Sequence, residues 1–159
     1  MAETASCNAE EYWRVTDDAS VFAGELAAIG LAAQRVAEMA NITGWRTFVI
    51  FTDSLSSVQC FGRGRCVSRP NLFDLVINIF SESAADVTLV WVPSHIGITG
   101  NEAADKAASR GARKNMVDMA VGLELGEAYS LVDEFVTKSG KKSEQGVVQG
   151  ATIGTQSSH

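Results

Sequence analysis

The chain is poor in cysteine and proline and has no long apolar segment. Its 159 residues include two prolines and three cysteines, and Cys7, Cys60 and Cys66 form neither an even set nor a CxxC pair. This spacing argues against a disulfide scaffold or a thiolate zinc site, so we expect reduced thiols. No apolar run approaches the roughly 20 residues of a membrane-spanning helix, and the acidic start MAETASCNAEE is unlike a secretory signal. We therefore expect a cytoplasmic or nuclear protein that is neither secreted nor membrane-inserted.

Basic residues are also few relative to acidic ones. Thirteen Lys and Arg stand against nineteen Asp and Glu, and the pI near 4.9 argues against a protein that coats DNA. The excess of acid lies at the two ends, because residues 19–114 hold nine basic and eight acidic side chains. The middle of the chain is close to neutral, so the overall charge does not exclude contact with a nucleic acid there.

Helix and strand patterns alternate along the middle of the chain. Residues 12–15 are β-prone and predict a strand that runs into a turn at residues 16–18. From Ser20, a candidate N-cap, apolar residues recur every three or four positions, which predicts a helix that ends at Gly44. Residues 47–51 form an uninterrupted apolar run, which is typical of a central strand covered on both faces.

The alternation continues after this strand. A short helix is predicted over residues 54–61, and Pro70 opens another helix with an apolar stripe. Residues 87–92 predict a second buried strand, and Asn101 is a candidate N-cap for a last helix through about Ala112. This order of elements predicts the α/β class.

The two ends differ in composition from this region. Residues 1–9 have no strand or helix pattern, and we expect a disordered leader there. Residues 10–114 are predicted to form one domain. Residues 115–159 begin with a weak helical pattern and become rich in Gly, Ser, Gln and Lys, so we expect a weakly helical and then disordered tail.

Three acidic residues occupy positions where α/β folds place their sites. Glu25 lies on the apolar face of the first long helix, Asp53 ends the apolar strand, and Asp105 lies early in the last helix. Carboxylates gathered from separate elements repel one another unless a cation neutralises them, and oxygen ligands favour Mg²⁺ or Mn²⁺. The alternative is structural: Glu25 is an interfacial acid, Asp53 is the N-cap of the helix at Ser54, and Asp105 interacts with the helix dipole.

A longer motif follows the second strand. Residues 91–107 read WVPSHIGITGNEAADKA and closely resemble the C-terminal motif of type 1 ribonuclease H domains, particularly those in the reverse-transcriptase polyproteins of non-LTR retrotransposons. Two weaker matches precede it in the same order as in that family: FAGELAAI at residues 22–29 and IFTDS at residues 50–54. Gly24 replaces the Ala that is usual before the Glu. The resemblance extends over about residues 10–114.

This resemblance implies a ribonuclease H-like fold, in which a mixed sheet is flanked by helices in three layers. It also implies roles for four residues. Glu25, Asp53 and Asp105 match metal-ligand positions, and His95 matches the loop histidine that assists proton transfer or product departure. The implied cofactor is Mg²⁺ or Mn²⁺, with two ions in the family's complete site.

The implied reaction is hydrolysis of the RNA strand of an RNA–DNA hybrid. Two metal ions about 3.5–4 Å apart activate a water and stabilise the leaving oxygen. The hybrid is recognised by its shape and 2′-hydroxyl groups rather than by base sequence. Candidate polar contacts to it are Ser54, Gln59 and Asn101, each of which has a cap or a solvated side chain as its alternative. Candidate phosphate contacts, with a solvated surface as the alternative, are Arg63, Arg65, Arg69, Lys106, Arg110, Arg113 and Lys114.

One part of the family pattern is missing. The family's sheet begins with a hairpin whose first strand carries the first catalytic Asp, and no segment here resembles it. We expect a domain truncated at its N-terminus that lacks the first two strands. Asp17 and Asp18 follow the strand predicted at residues 12–15, which in the family lies two places from the missing strand, roughly 10 Å away at about 4.8 Å per strand.

The missing hairpin leaves two classes of function open. One is a metal-dependent ribonuclease H, and the other is a catalytically inert, truncated nucleic-acid-binding domain derived from a retroelement. The hairpin's absence also predicts that the strand at residues 47–51 has a free edge. Either the segment at residues 12–15 pairs with that edge, or a second chain does and the protein self-associates.

Overall fold

A computed structural model describes residues 10–123 and, beyond them, residues 128, 131, 132 and 137. Residues up to Gly122 belong to one compact unit, and those from Leu123 belong to a second. The first unit contains α1 (Val21–Thr43), β1 (Thr47–Thr52), α2 (Leu55–Arg63), α3 (Pro70–Glu82), β2 (Asp86–Trp91) and α4 (Thr99–Ala112). The predicted leader and most of the predicted tail lie outside the described residues.

The ends of α1 are set by local signals in the sequence. The Ser20 hydroxyl accepts a hydrogen bond of 3.2 Å from the amide of Ala23, which satisfies a donor in the first turn. Gly44 adopts a left-handed conformation with φ 76° and donates its amide to the Ala40 carbonyl. Both predicted ends of this helix are confirmed.

The sheet of the described residues consists of β1 and β2, which run parallel. The pairing places Thr47 beside Asp86 at one end and Thr52 beside Trp91 at the other. Parallel strands need a crossover connection, and α2 and α3 provide it. The α/β class is therefore confirmed.

One face of the sheet is packed and the other is open. Phe48 and Ile50 are half-buried on the side of α1, whereas Val49 is 50% exposed and Phe51 is 66% exposed on the opposite side. The prediction that this strand is covered on both faces is wrong within the described residues. An uninterrupted apolar run has the same sequence signature whether the second face is covered or not.

The main core lies between the helices and the packed face. Leu26 and Ile29 from α1 meet Phe73 and Val76 from α3, and all four side chains are buried. The two helices approach closely at Gly30, where a Cβ atom would lie 3.0 Å from the Val76 side chain. This packing fixes α1 against the crossover helices and thereby fixes the position of Glu25 relative to the sheet.

The N-terminal segment does not form the predicted strand. Among the described residues, Val15 makes one isolated parallel bridge to Met119, and β1 pairs with β2 alone. Arg14 is held instead by Asp118, whose carboxylate accepts the Arg14 amide at 2.7 Å and whose own amide donates to the Arg14 carbonyl at 2.8 Å. The segment at residues 12–15 is thus occupied elsewhere and does not pair with the free edge of β1.

The start of α4 also differs from the prediction. The helix begins at Thr99, with Ile98 at the N-cap and no side-chain cap, so Asn101 lies inside the helix rather than at its cap. The Asn101 side chain is available to another partner because it does not cap the helix. That partner, as shown below, is Asp53.

Two further expectations concern the thiols and membranes. Cys60 and Cys66 are free thiols, while Cys7 lies outside the described residues. Burial raises the pKa of Cys60 to about 11. Within the described part of the chain, no helix combines the length and apolarity needed to cross a bilayer.

Candidate functional site

The two strands end at the same edge of the sheet because they run parallel. We call this region the carboxyl edge; it contains Asp53 after β1 and residues 92–98 after β2. The Asp53 Oδ2 accepts hydrogen bonds from the Ser94 hydroxyl at 2.9 Å and from the Asn101 side-chain amide at 3.2 Å. The Trp91 indole donates to the main-chain carbonyl of Asp53 at 3.1 Å. Asp53 is therefore held by donors from β2, the following loop and α4.

Glu25 is connected to the same edge through Ser54. The Ser54 hydroxyl donates to the Glu25 Oε2 and lies 2.8 Å from the Ser57 hydroxyl. A serine has a single hydroxyl proton, so the Ser57 hydroxyl must donate to Ser54. Ser54 and Ser57 are 3% and 0% exposed, which means that Glu25 is anchored from inside the protein. The neighbour of Asp53 in sequence thus fixes the second carboxylate.

His95 and Asp105 form the third part of the carboxyl edge. His95 adopts a left-handed backbone with φ 57°, which is rare for a non-glycine residue and recurs at functional sites. Its Nδ1 lies 3.3 Å from the Asp105 Oδ2, at an angle that does not make a hydrogen bond. That oxygen is shielded from solvent and has no hydrogen-bond donor among the described residues. The arrangement leaves a buried carboxylate oxygen without a hydrogen bond, which is costly unless a further ligand satisfies it.

The donor set of this edge suits a hard divalent cation. Glu25, Asp53 and Asp105 offer carboxylate oxygens, which are the ligands that Mg²⁺ and Mn²⁺ prefer, and one Asp105 oxygen has no hydrogen bond among the described residues. Within the described residues, however, no three acidic, histidine or cysteine side chains lie close enough to hold one ion together. The ligand types fit a metal ion, while the carboxylates do not converge on a single point.

The structural alternatives for two of these acids are not supported. Ser54 caps α2, since its hydroxyl accepts the Ser57 amide at 3.3 Å, so Asp53 does not have that role. The acidic residue in the first turn of α4 is Glu102, and Asp105 lies one turn further along, where the helix dipole has little effect. Glu25 lies at an interface and is hydrogen-bonded to Ser54, which is compatible both with a structural role and with a role as a metal ligand.

The polar and basic candidates divide into exposed and engaged side chains. Gln59 is exposed on α2, whereas Ser54 and Asn101 are engaged by the carboxylates described above. Four basic side chains are exposed and form no ion pair within residues 10–123: Arg63, Arg65, Lys106 and Arg113. These four side chains remain candidates for phosphate contact.

Three other basic candidates have structural partners. Arg69 is 1% exposed and donates to the Gly122 carbonyl, so its assignment to the phosphate-binding surface is wrong. Arg110 pairs with Glu10, and Lys114 binds Asp118 at 2.6 Å. Both cations also lie over one aromatic ring, that of Tyr12, at 5.4 and 5.7 Å from its centre.

A groove runs along α4 beside the carboxyl edge. Its volume is about 480 Å³, and it is open to solvent. The lining residues recur every three or four positions and are Glu102, Asp105, Lys106, Ser109, Arg110 and Arg113. Basic side chains thus extend from the acidic edge along one helix face, and one of them, Arg110, is already paired with Glu10.

Three residues that hold the acids in place are not among the site residues predicted from the sequence. They are Ser57, Trp91 and Ser94, and the last two lie within the motif at residues 91–107. Ser57 had a local signal, because it stands three residues after the cap Ser54. The bonds of Trp91 and Ser94 to Asp53 span about forty residues of sequence and follow only from the parallel pairing of the strands.

No known protein-family model matches the chain, and no curated protein sequence matches it.

Proposed function

We propose that this chain is a ribonuclease H-type domain that acts on the RNA strand of RNA–DNA hybrids with Mg²⁺ or Mn²⁺. The observation that carries the proposal is the pair of hydrogen bonds from Ser94 and Asn101 to the Asp53 carboxylate. These bonds join two sequence segments, 50–54 and 91–107, that resemble the family independently of each other. The bond from Ser54 to Glu25 joins the third such segment to them.

Glu25, Asp53 and Asp105 are the residues that would hold the metal. When bound, the metal ions activate a water and neutralise charge on the leaving oxygen. Ser94, Asn101 and Ser54 orient the acids, since each donates to a carboxylate oxygen and leaves the other oxygen of the same group for a ligand. The protein's contribution is thus to keep the carboxylates oriented before the metal arrives.

His95 is placed to move a proton at the same edge. Its side chain is 78% exposed and its Nδ1 faces the Asp105 carboxylate, so the other ring nitrogen remains open to substrate or water. The left-handed backbone at His95 and at Gly97 turns the loop so that the imidazole faces α4. In this position the histidine assists departure of the product.

The hybrid would lie along α4 and the end of α2. Lys106 from α4 and Arg63 and Arg65 from the end of α2 supply the basic side chains, and the exposed Gln59 supplies a polar contact. Contacts of this kind follow the phosphates and the 2′-hydroxyl groups, so binding would depend on duplex shape and on salt rather than on sequence.

A second candidate is a catalytically inert domain that binds nucleic acid. It is favoured by the spacing of the acids, because no three of the described side chains form a metal-binding group. It is also consistent with the missing counterpart of the family's first Asp within residues 10–123. The two candidates share the basic surface and differ in whether the carboxyl edge performs chemistry.

One experiment separates the two candidates. A hybrid labelled on its RNA strand is incubated with the chain in Mg²⁺ or in chelator, beside RNA–RNA and DNA–DNA duplexes of the same sequence. The variants are Asp53→Asn and, as a matched control, Asp74→Asn on the exposed side of α3. RNA cleavage that requires Mg²⁺ and is lost only in Asp53→Asn supports the enzyme. Hybrid binding without cleavage supports the inert domain, and the absence of both contradicts both candidates.

A further inference from the structure

β1 has a row of backbone groups without a partner among the described residues. The Arg46 and Thr52 carbonyls accept amides from the β2 side, so the even-numbered residues of β1 direct their backbone groups toward β2. Successive residues of a strand alternate, and Thr47, Val49 and Phe51 therefore direct their N–H and C=O groups to the opposite, free edge. Within residues 10–123, no other backbone hydrogen bond satisfies these three residues.

This edge also lacks the features that normally prevent strands from pairing. The six residues of β1, TFVIFT, contain no charge, no proline and no glycine, and β1 has no bulge in its pairing with β2. The other free edge, that of β2, begins with Asp86. Both edges are free among the described residues, and β1 is the one that carries no charged side chain.

We propose that β1 pairs with β1 of a second copy of this chain, antiparallel and around a two-fold axis at Val49. In this register Val49 lies opposite Val49, and Thr47 of each copy lies opposite Phe51 of the other. All three residues with free backbone groups then face their counterparts, which gives about six ladder hydrogen bonds. A shift of the axis to Ile50 would place Thr47 opposite Asp53, whose carbonyl already accepts from Leu55 and Trp91.

The charges that flank β1 identify a second copy as the occupant. Arg46 precedes the strand and Asp53 follows it, so the strand has a cation at one end and a carboxylate at the other. Antiparallel pairing around Val49 brings Arg46 of each copy beside Thr52 and Asp53 of the other. The same charge complementarity therefore occurs at both ends of the ladder, as a symmetric interface requires.

The first test measures the oligomeric state by light scattering at micromolar concentration. The native chain is expected to be a dimer. Val49→Lys places two like charges opposite each other at the axis and is expected to give a monomer. Thr88→Lys is the matched control, because Thr88 is the exposed neighbour of Val49 on β2, one strand away from the interface, and this variant should remain a dimer. Circular dichroism establishes that both variants are folded.

The second test determines the register. Val49→Cys should form a disulfide between copies on mild oxidation, since hydrogen-bonded antiparallel partners have Cα atoms about 5.5 Å apart. Thr88→Cys should not, because its counterpart would lie roughly 15 Å away. The native chain measures the background from its own cysteines. A monomeric native chain, a Thr88→Lys variant that also dissociates, or cross-linking at position 88 rather than 49 would overturn the proposal.

Discussion

The three acids of the carboxyl edge belong to separate elements, and the proposed metal site depends on all of them. Removal of one carboxylate deletes a ligand and part of the charge that attracts the ion. We expect Asp53→Asn, Glu25→Gln and Asp105→Asn each to weaken Mg²⁺ binding, and Asp74→Asn to leave it unchanged. Metal titration followed by amide NMR measures this, and an unchanged affinity in Asp53→Asn would contradict a shared site.

Ser94 orients Asp53 without being a ligand itself. Loss of its hydrogen bond of 2.9 Å frees the carboxylate to rotate. We expect Ser94→Ala to lower Mg²⁺ affinity by about tenfold, as for other groups that orient metal ligands, and Ser94→Thr to retain most of the affinity. Ser56, which is exposed on α2, provides the control substitution to Ala. Equal losses of Mg²⁺ affinity in Ser94→Ala and Ser56→Ala would contradict the proposal that Ser94 orients Asp53.

The contact between Arg14 and Asp118, which joins the N-terminal segment to the residues after α4, is sensitive to acid. Its hydrogen bond from the Arg14 amide, with that from Lys114, lowers the pKa of this carboxyl below its usual 3.8. A carboxyl with a lowered folded-state pKa stabilises the fold above the unfolded value and loses this effect as pH falls through the folded value. We expect the native chain to lose thermal stability below about pH 4 more steeply than Asp118→Asn. Parallel pH profiles in the two proteins would contradict this.

At the scale of elements, α4 approaches the N-terminal segment closely at Gly111. A Cβ atom at Gly111 would stand 2.5 Å from the Trp13 carbonyl oxygen. We expect Gly111→Ala to destabilise the protein by about 1–3 kcal/mol, because main-chain atoms must move. Gly100→Ala, in the same helix with nothing within 4 Å, should be neutral or slightly stabilising. Urea unfolding midpoints provide the comparison, and equal midpoints for the two variants would contradict the close packing.

The elements that the sequence predicted well are those with local signals. Ser20, Gly44 and Pro70 mark helix ends through contacts within a few residues, and their positions agree with the structure. The segment at residues 12–15 was predicted wrongly because its partner, Asp118, is more than a hundred residues away. The short-range pattern of a β-prone stretch is the same whether it joins a sheet or makes a single bridge.

The sequence pattern indicates the acidic residues of the candidate site, but it does not indicate the hydrogen bonds that orient them. Glu25, Asp53 and Asp105 stand at element positions that the hydrophobic pattern reveals. The bonds that orient Asp53 depend on the path of residues 92–98, and the left-handed turn at His95 is a conformation that no helix or strand pattern encodes. Candidate acids at element positions are thus easier to pick from the sequence than the contacts that position them.

At the scale of the whole molecule, the edge of β1 that is free among the described residues is the place where the proposed ribonuclease H assignment would put the family's N-terminal hairpin. We expect a fusion that carries such a hairpin, with its Asp, ahead of Glu10 to cleave RNA–DNA hybrids a thousandfold or more faster than the chain itself. The physical reason is that a two-metal site needs carboxylates that converge on the ions, and no three acidic, histidine or cysteine side chains converge in the part of the chain that the structure describes.

The control fusion carries Asn in place of the added Asp, which separates chemistry from folding. Both fusions fill the β1 edge and should be monomers, while the Asp fusion should cleave hybrids a thousandfold or more faster than the Asn fusion. Strong, chelator-sensitive cleavage by the chain without a hairpin, abolished by Asp53→Asn, would show that the extra carboxylate is not required.

The hydrogen bond from the Trp91 indole to the Asp53 carbonyl makes this tryptophan an intrinsic fluorescent reporter of the carboxyl edge. Its ring is 43% exposed, so a ligand that arrives at Asp53 changes both the water around the indole and the strength of its hydrogen bond. Trp13 and Trp45 lie outside β2 and the loop that follows it, and a Trp91→Phe variant measures their contribution to the emission. Metal or hybrid binding should therefore shift the emission of the unlabelled protein, and the shift should disappear with Trp91.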